Sequence, residues 1–194
     1  GPHRHKDSNA LKEIALWVDW LKAKGAGPIT VLGHSRGGNQ VARYVAGTPD
    51  APDSIVKGAV LVAPATWRPG KEAQGYSNRY QKDLAPLLEK ARTLVKAGKG
   101  SELMEGVDFV YCPNTRVAAA TFVDYYRDNP DRDTPSLIKR IKMPVLAVAR
   151  FIGITGKDAR RLERIVEALG LDSMMIAHQY NPILRNAARY LLPT

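Results

Sequence analysis

Cysteine is almost absent from this chain: Cys112 stands alone among 194 residues. No internal disulfide can form, so the fold rests on its hydrophobic core. Long apolar runs are missing too, and none approaches the ~20 residues that span a bilayer as a helix. The opening residues, Gly1-Pro2-His3-Arg4-His5-Lys6-Asp7, hold no apolar segment of the kind a signal peptide carries. None of these features assigns a compartment. Neither an internal repeat nor a low-complexity tract is visible. Acidic residues are outnumbered, 19 against 29 Lys and Arg, which leaves a net charge of +10. The basic residues are spread along the chain, with no run longer than two, and neither an aromatic RNP stretch nor zinc-finger spacing accompanies them. The charge therefore reads as a solvated basic surface, and no nucleic-acid partner is expected. What is present, 44% hydrophobic and 25% charged residues, suits one globular domain with a real core.

The most informative stretch is Ile29 to Gly47, ITVLGHSRGGNQVARYVAG. Ile29 to Leu32 is apolar and rich in β-branched residues, which predicts a strand buried on both faces. Gly33-His34-Ser35-Arg36-Gly37 follows and fits G-x-S-x-G. Gln40, Val41, Tyr44 and Val45 then open a helical pattern. Strand, sharp turn and helix in that order are the context in which this motif presents a serine nucleophile. Glycine is expected at both flanking positions, where strand and helix nearly touch. The helix N-terminus points free N–H groups at the reaction centre, and the N–H of Arg36 is a candidate oxyanion donor. The competing reading is a glycine-rich βα turn whose serine caps the helix.

Around this stretch, Ser8 to Lys24 repeats apolar residues at helical spacing, with Trp17 and Trp20 widening the stripe, Ser8 as N-cap and Gly25 as stop. Lys57 to Ala63 and Met143 to Ala149 read as further buried strands. Asp83 to Ala97, Arg116 to Arg127, Asp158 to Leu169 and Pro182 to Leu192 read as helices, and Asp172 to Ala177 as a short last strand. Continuous apolar strands alternating with helices predict an α/β fold, a mostly parallel sheet with flanking helices. Pro64 to Pro135 breaks the alternation and carries Trp67, Tyr76, Tyr80, Tyr111, Phe122, Tyr125 and Tyr126. Each of these aromatics, taken singly, suits the small core of that segment. Phe109-Val110-Tyr111-Cys112-Pro113 suggests a buried structural thiol rather than a nucleophile.

On Leu32-Gly33-His34-Ser35-Arg36-Gly37-Gly38 and the order of elements after it, the chain resembles the α/β-hydrolase superfamily, with a likeness to its serine esterases and lipases. The resemblance implies a core of residues 1–63 and 136–194, with 64–135 as a helical cap or lid whose aromatics can line an acyl pocket. It also implies an incomplete α/β-hydrolase fold. The strands that precede the elbow in that family, and the second oxyanion donor they supply, have no counterpart before Ser35. An elbow strand left at a sheet edge predicts self-association or a partner.

The family order of serine, acid, histidine implies the remaining roles. Of four histidines, His3 and His5 lie upstream and His34 belongs to the elbow itself. His178 alone follows the serine. It is the candidate base, against the alternative of a surface histidine. The acid is expected just past the strand that begins at Met143. If that strand runs through Ile154, the turn Gly156-Lys157-Asp158 carries it; if it ends at Ala149, the acid is missing. Asp158 is also a natural helix N-cap, and Asp172 and Asp124 are weaker candidates. The same stretch fails as a phosphate-binding loop, because Phe151 and Asp158 occupy positions that demand Gly and Ser or Thr. The implied activity is cleavage of a carboxylic ester or related acyl compound, a small molecule, through an acyl-enzyme on Ser35. No metal or organic cofactor is implied. The rival is a catalytically impaired fragment or non-enzymatic relic of the same fold.

Overall fold

The computed structural model describes residues 1–48 and 54–148. Within them the chain forms two compact units. One comprises residues 13–66 and 131 onward, the other residues 1–12 and 67–130.

The first unit is built on a parallel sheet. Strands β1 (Ile29–His34), β2 (Val56–Val62) and β5 (Val145–Val148) pair in the order β1-β2-β5. Leu32 lies opposite Val60, and Leu61 opposite Ala147. Helix α2 (Arg36–Gly47) follows β1 directly and buries Val41, Ala42 and Val45 against Val56, Ala59 and Leu61. Leu137 and Ile138 of the short helix α6 (Thr134–Ile138) join the same core. Helix α1 (Ala10–Ala23) adds Ile14 and Val18 to its rim. α1 ends as its sequence predicts. Gly25 adopts φ 78°, its N–H donates to the carbonyl of Lys22, and the N–H of Ala26 donates to that of Leu21. That is the Schellman closure, which needs a residue free of Cβ strain.

Several expectations are corrected here. β1 is not buried on both faces: Thr30, Leu32 and His34 are exposed, Leu32 by 65%. Among the described strands β1 is the edge of the sheet, so one flank and one face lack the cover a central strand has. Trp17 and Trp20 do not extend the buried stripe but stand 65% and 50% exposed, in edge-to-face contact with each other. Ser8 does not cap α1. It sits in a 3₁₀ turn, Asp7–Asn9, and its N–H donates to Asp124 Oδ2 at 3.0 Å.

The second unit is a helical and hairpin assembly. It holds α3 (Lys71–Tyr80), α4 (Ala85–Lys96), the antiparallel hairpin of β3 (Leu103–Phe109) and β4 (Cys112–Ala118), and α5 (Ala119–Tyr126). Tyr76, Met104, Phe109, Val117, Phe122 and Tyr126 form its core. Phe122 and Tyr126 meet at a tilt with centroids 4.7 Å apart, and Tyr76 meets Tyr126 edge-on at 5.5 Å. The aromatics of this segment thus serve its own interior, with Tyr111 left 75% exposed. Residues near the N-terminus belong here because His3 pairs with Val117, exchanging backbone hydrogen bonds with Arg116 and Ala118.

The hairpin replaces part of a predicted helix. Arg116 to Ala118 are strand, and α5 starts at Ala119. Strand periodicity is masked because the register slips between Met104 and Val107 and again before Phe109, with Gly106 at φ 66°. Cys112 is exposed, not buried, because it opens β4 at the hairpin end rather than lying inside an apolar run.

Candidate active site

Ser35 occupies the joint between β1 and α2, and the joint is tight for a stated reason. A Cβ on Gly33 would lie 2.3 Å from the carbonyl oxygen of Gly37, well inside contact distance. One on Gly38 would press on Gly33 O at 3.0 Å and Pro64 Cα at 3.1 Å. Gly37 itself differs from expectation, since a Cβ there would meet nothing within 4 Å. The close approach needs Gly33 and Gly38, and the second glycine of the motif contributes only its backbone.

This approach forces the serine into an unusual backbone state, φ 53° and ψ −118°. Such a conformation costs about 1–3 kcal/mol for a residue with a Cβ and persists only where the surroundings impose it. Three backbone hydrogen bonds do so. The N–H of Ser35 donates to Val62 O at 2.8 Å, and its carbonyl accepts from Ala65 N at 2.8 Å and Asn39 N at 3.2 Å. The loop after β2 is itself turned over the joint by Ala63, at φ 42°.

The side chain is the informative part. Ser35 makes no capping hydrogen bond to α2 and is exposed. The capping serine that competed with the nucleophile in the sequence is therefore not what the fold contains. The first intrahelical bond of α2 is made by Asn39 N. The N–H groups of Arg36, Gly37 and Gly38 precede it and have no acceptor one turn back within the helix. They supply positive partial charge at the start of the helix, next in the chain to the serine.

Arg36 is the first residue of α2, directly after the serine. His178 and Asp158, like Asp172, lie outside the described residues. Asp124 is 9% exposed in the unit that does not contain Ser35, where its carboxylate accepts from Ser8 N and lies 3.7 Å from Arg127. Nothing in the sequence singles out Asn39. It is 3% exposed, a buried amide one helical turn past the serine. Its only trace in the sequence is a polar residue beside the apolar stripe of α2. Among the described residues no group of three or more His, Cys, Asp or Glu side chains could hold a metal ion, and no helix is long and apolar enough to cross a membrane.

Among the described residues, the ionisable groups pushed furthest from their ordinary values lie in the other unit. Burial pushes the Tyr76 hydroxyl up to about 12, with the Asp108 charge adding to it, and pushes Tyr126 up further. Asp108 is held below the usual carboxylate range, chiefly by its hydrogen bond from Lys82 Nζ at 2.7 Å. These are structural groups of a core and its hairpin.

Comparison with known proteins agrees with the fold class. The sequence profile of the alpha/beta hydrolase fold matches residues 3–147. Among solved structures, a monoacylglycerol lipase from Paleococcus ferrophilus superposes with a TM-score of 0.53 at 17% identity, covering 97% of this chain and 76% of that one. Est1E from Butyrivibrio proteoclasticus, with ferulic acid bound, superposes at 0.50 and 13% identity, covering 96% and 66%. At such identities the likeness is one of fold alone. No curated protein matches this chain in sequence.

Proposed function

The chain belongs to the alpha/beta hydrolase fold family, and from that premise we propose that it is a serine hydrolase of carboxylic esters or related acyl compounds, acting through an acyl-enzyme on Ser35. The observation that carries this reading is the backbone of Ser35, held at φ 53° in the strand–helix joint with its hydroxyl exposed and not capping the helix. Ser35 Oγ attacks the acyl carbonyl and its proton passes to His178. The N–H of Arg36 helps to hold the oxyanion, and Asp158 orients the imidazole. Collapse expels the alcohol, which takes the proton back. Water, deprotonated by the same histidine, then releases the acid and restores the serine. Residues 64–135 serve as the cap, and β1, the edge among the described strands, is the site of self-association.

Each role has a size. Loss of one oxyanion donor costs about 10²- to 10³-fold in rate, and loss of the acid about 10⁴-fold. Incubation of the full chain with a fluorophosphonate probe tests the central step. The expected result is one covalent adduct on Ser35, absent from Ser35→Ala and much slower in His178→Ala. Equal labelling of the intact chain and Ser35→Ala would sink the proposal and leave the fold as a non-catalytic relic.

A further inference from the structure

Below the elbow, four residues close a ring of hydrogen bonds. The carbonyl of Ser35 accepts from Ala65 N at 2.8 Å. The carbonyl of Ala65 accepts from Thr134 Oγ1 at 2.6 Å. Thr134 Oγ1 accepts in turn from Asn39 Nδ2 at 2.8 Å. The N–H of Asn39 returns to the carbonyl of Ser35 at 3.2 Å. The same Asn39 amide also donates to Arg132 O at 2.8 Å. Asn39 and Thr134 are 3% and 2% exposed, so water does not compete for these groups. A second link runs alongside: Thr66 Oγ1 donates to Asp133 Oδ1 at 3.1 Å and accepts from Thr134 N at 3.1 Å.

The placement of the ring gives it meaning. Ala65 and Thr66 are the last residues of this unit before the chain leaves it, and Asp131 is the first on its return. Arg132 to Thr134 are therefore stapled to Ala65 and Thr66, and both segments to the backbone of Ser35. Residues 30 to 95 positions apart in sequence meet on one carbonyl and one amide. A buried polar network is costly when half satisfied and rigid when complete. This one is complete at Thr134 Oγ1, which both donates and accepts.

We propose that Asn39 and Thr134 are positioning residues for the Ser35 nucleophile: the Ser35–Ala65–Thr134–Asn39 ring fixes the elbow carbonyl and with it the direction of Oγ. The inference rests on the reading of Ser35 as nucleophile. Neither side chain touches the substrate; each acts through the backbone that aims the serine. With the ring broken, the elbow relaxes from its unusual φ, and a displacement on the order of 1 Å at the reacting atom costs about 10²-fold in rate.

The test uses the full chain, p-nitrophenyl acetate turnover and fluorophosphonate labelling, with thermal midpoints measured in parallel. Thr134→Val keeps shape and removes the hydroxyl. Thr134→Ser keeps the hydroxyl. Asn39→Asp keeps shape and removes the amide donor. Val45→Ala opens the core of the same unit without touching the ring. Assays run well below the lowest midpoint. Thr134→Val and Asn39→Asp are expected to lower kcat and labelling about 10- to 100-fold with KM nearly unchanged, the split that marks loss of a transition-state interaction. Thr134→Ser is expected to restore most of the rate, and Val45→Ala to lose stability but keep kcat. Two results overturn the proposal: Thr134→Val and Asn39→Asp keeping the wild-type rate while Ser35→Ala is inert, or kcat falling in step with the midpoint in all variants including Val45→Ala. If the wild type reacts no better than Ser35→Ala, the nucleophile reading itself has failed and the positioning role falls with it.

Discussion

Of the five described residues with a Cβ at positive φ, two are held there in opposite ways. Ser35 has φ 53° at the β1–α2 joint, and Val110 has φ 59° at the β3–β4 turn. The serine is held by backbone groups. Gly33 and Gly38 vacate the space, and Val62, Ala65 and Asn39 anchor its backbone. Val110 occupies the first position of a two-residue hairpin turn, where a positive φ is normally supplied by glycine. No glycine is there. Instead Tyr126 Oη accepts from Val110 N at 2.9 Å, while Arg79 and Tyr80 Oη donate to its carbonyl at 2.8 and 3.0 Å. Backbone and missing side chains hold the first residue; distant side chains hold the second. An exposed hydroxyl needs the first solution, because crowding side chains would block access to it. A hairpin tip with no substrate to admit can use the second.

The largest expected effect separates the glycines. Gly33→Ala should destabilise the sheet unit by about 3 kcal/mol or more, because its Cβ meets backbone that cannot step aside. Gly37→Ala should be neutral or stabilising by up to about 1 kcal/mol, since its Cβ meets open space in a helix. Chemical denaturation of both variants decides this, and equal losses would break the account of the joint. Next in size, Tyr126→Phe keeps the ring in the core but orphans the Val110 N–H, at a cost of about 1–3 kcal/mol. Amide exchange at Val110 should quicken in that variant while the elbow is unaffected. A silent Tyr126→Phe would mean that the turn does not need its side-chain clamp.

The smallest effect sharpens the same contrast through pH. Asn114, also at positive φ in the hairpin, donates its N–H to Asp108 Oδ1 at 2.9 Å, and Lys82 binds the other oxygen. The folded carboxyl is held below its ordinary 3.8. Its contribution is therefore present above about pH 4 and lost as pH falls below, because the unfolded chain binds the proton first. Asp108→Asn should cost about 1–2 kcal/mol at neutral pH and flatten the acid limb of the stability curve below pH 4. An unchanged acid limb would show that Asp108 carries none of it.

The elements that were legible share a cause. β1, α2, β2, α4 and β5 carry uninterrupted apolar periodicity, and the glycine and serine pattern between β1 and α2 declares a joint whose constraints are local. The hairpin was illegible because its bulges break the two-residue period and its turn lacks turn residues. Hydrophobicity alone places Trp17, Trp20 and Leu32 in the interior, yet they stand exposed because hydrophobicity does not say which face a neighbour covers. Cys112 erred for the same reason, its apolar flank belonging to the strand before it. Asn39 and Thr134 were invisible as a pair, since nothing in a sequence couples positions 95 apart.

By itself the sequence determined the family, the strand–turn–helix joint and the identity of the exposed serine, because each depends on residues within a few positions of one another. The tertiary structure alone decided which glycine the joint cannot spare, what clamps the hairpin tip, and which buried hydroxyl and amide close on the elbow carbonyl. Those are contacts between segments remote in the chain, and only packing brings their polar groups within a hydrogen bond of each other.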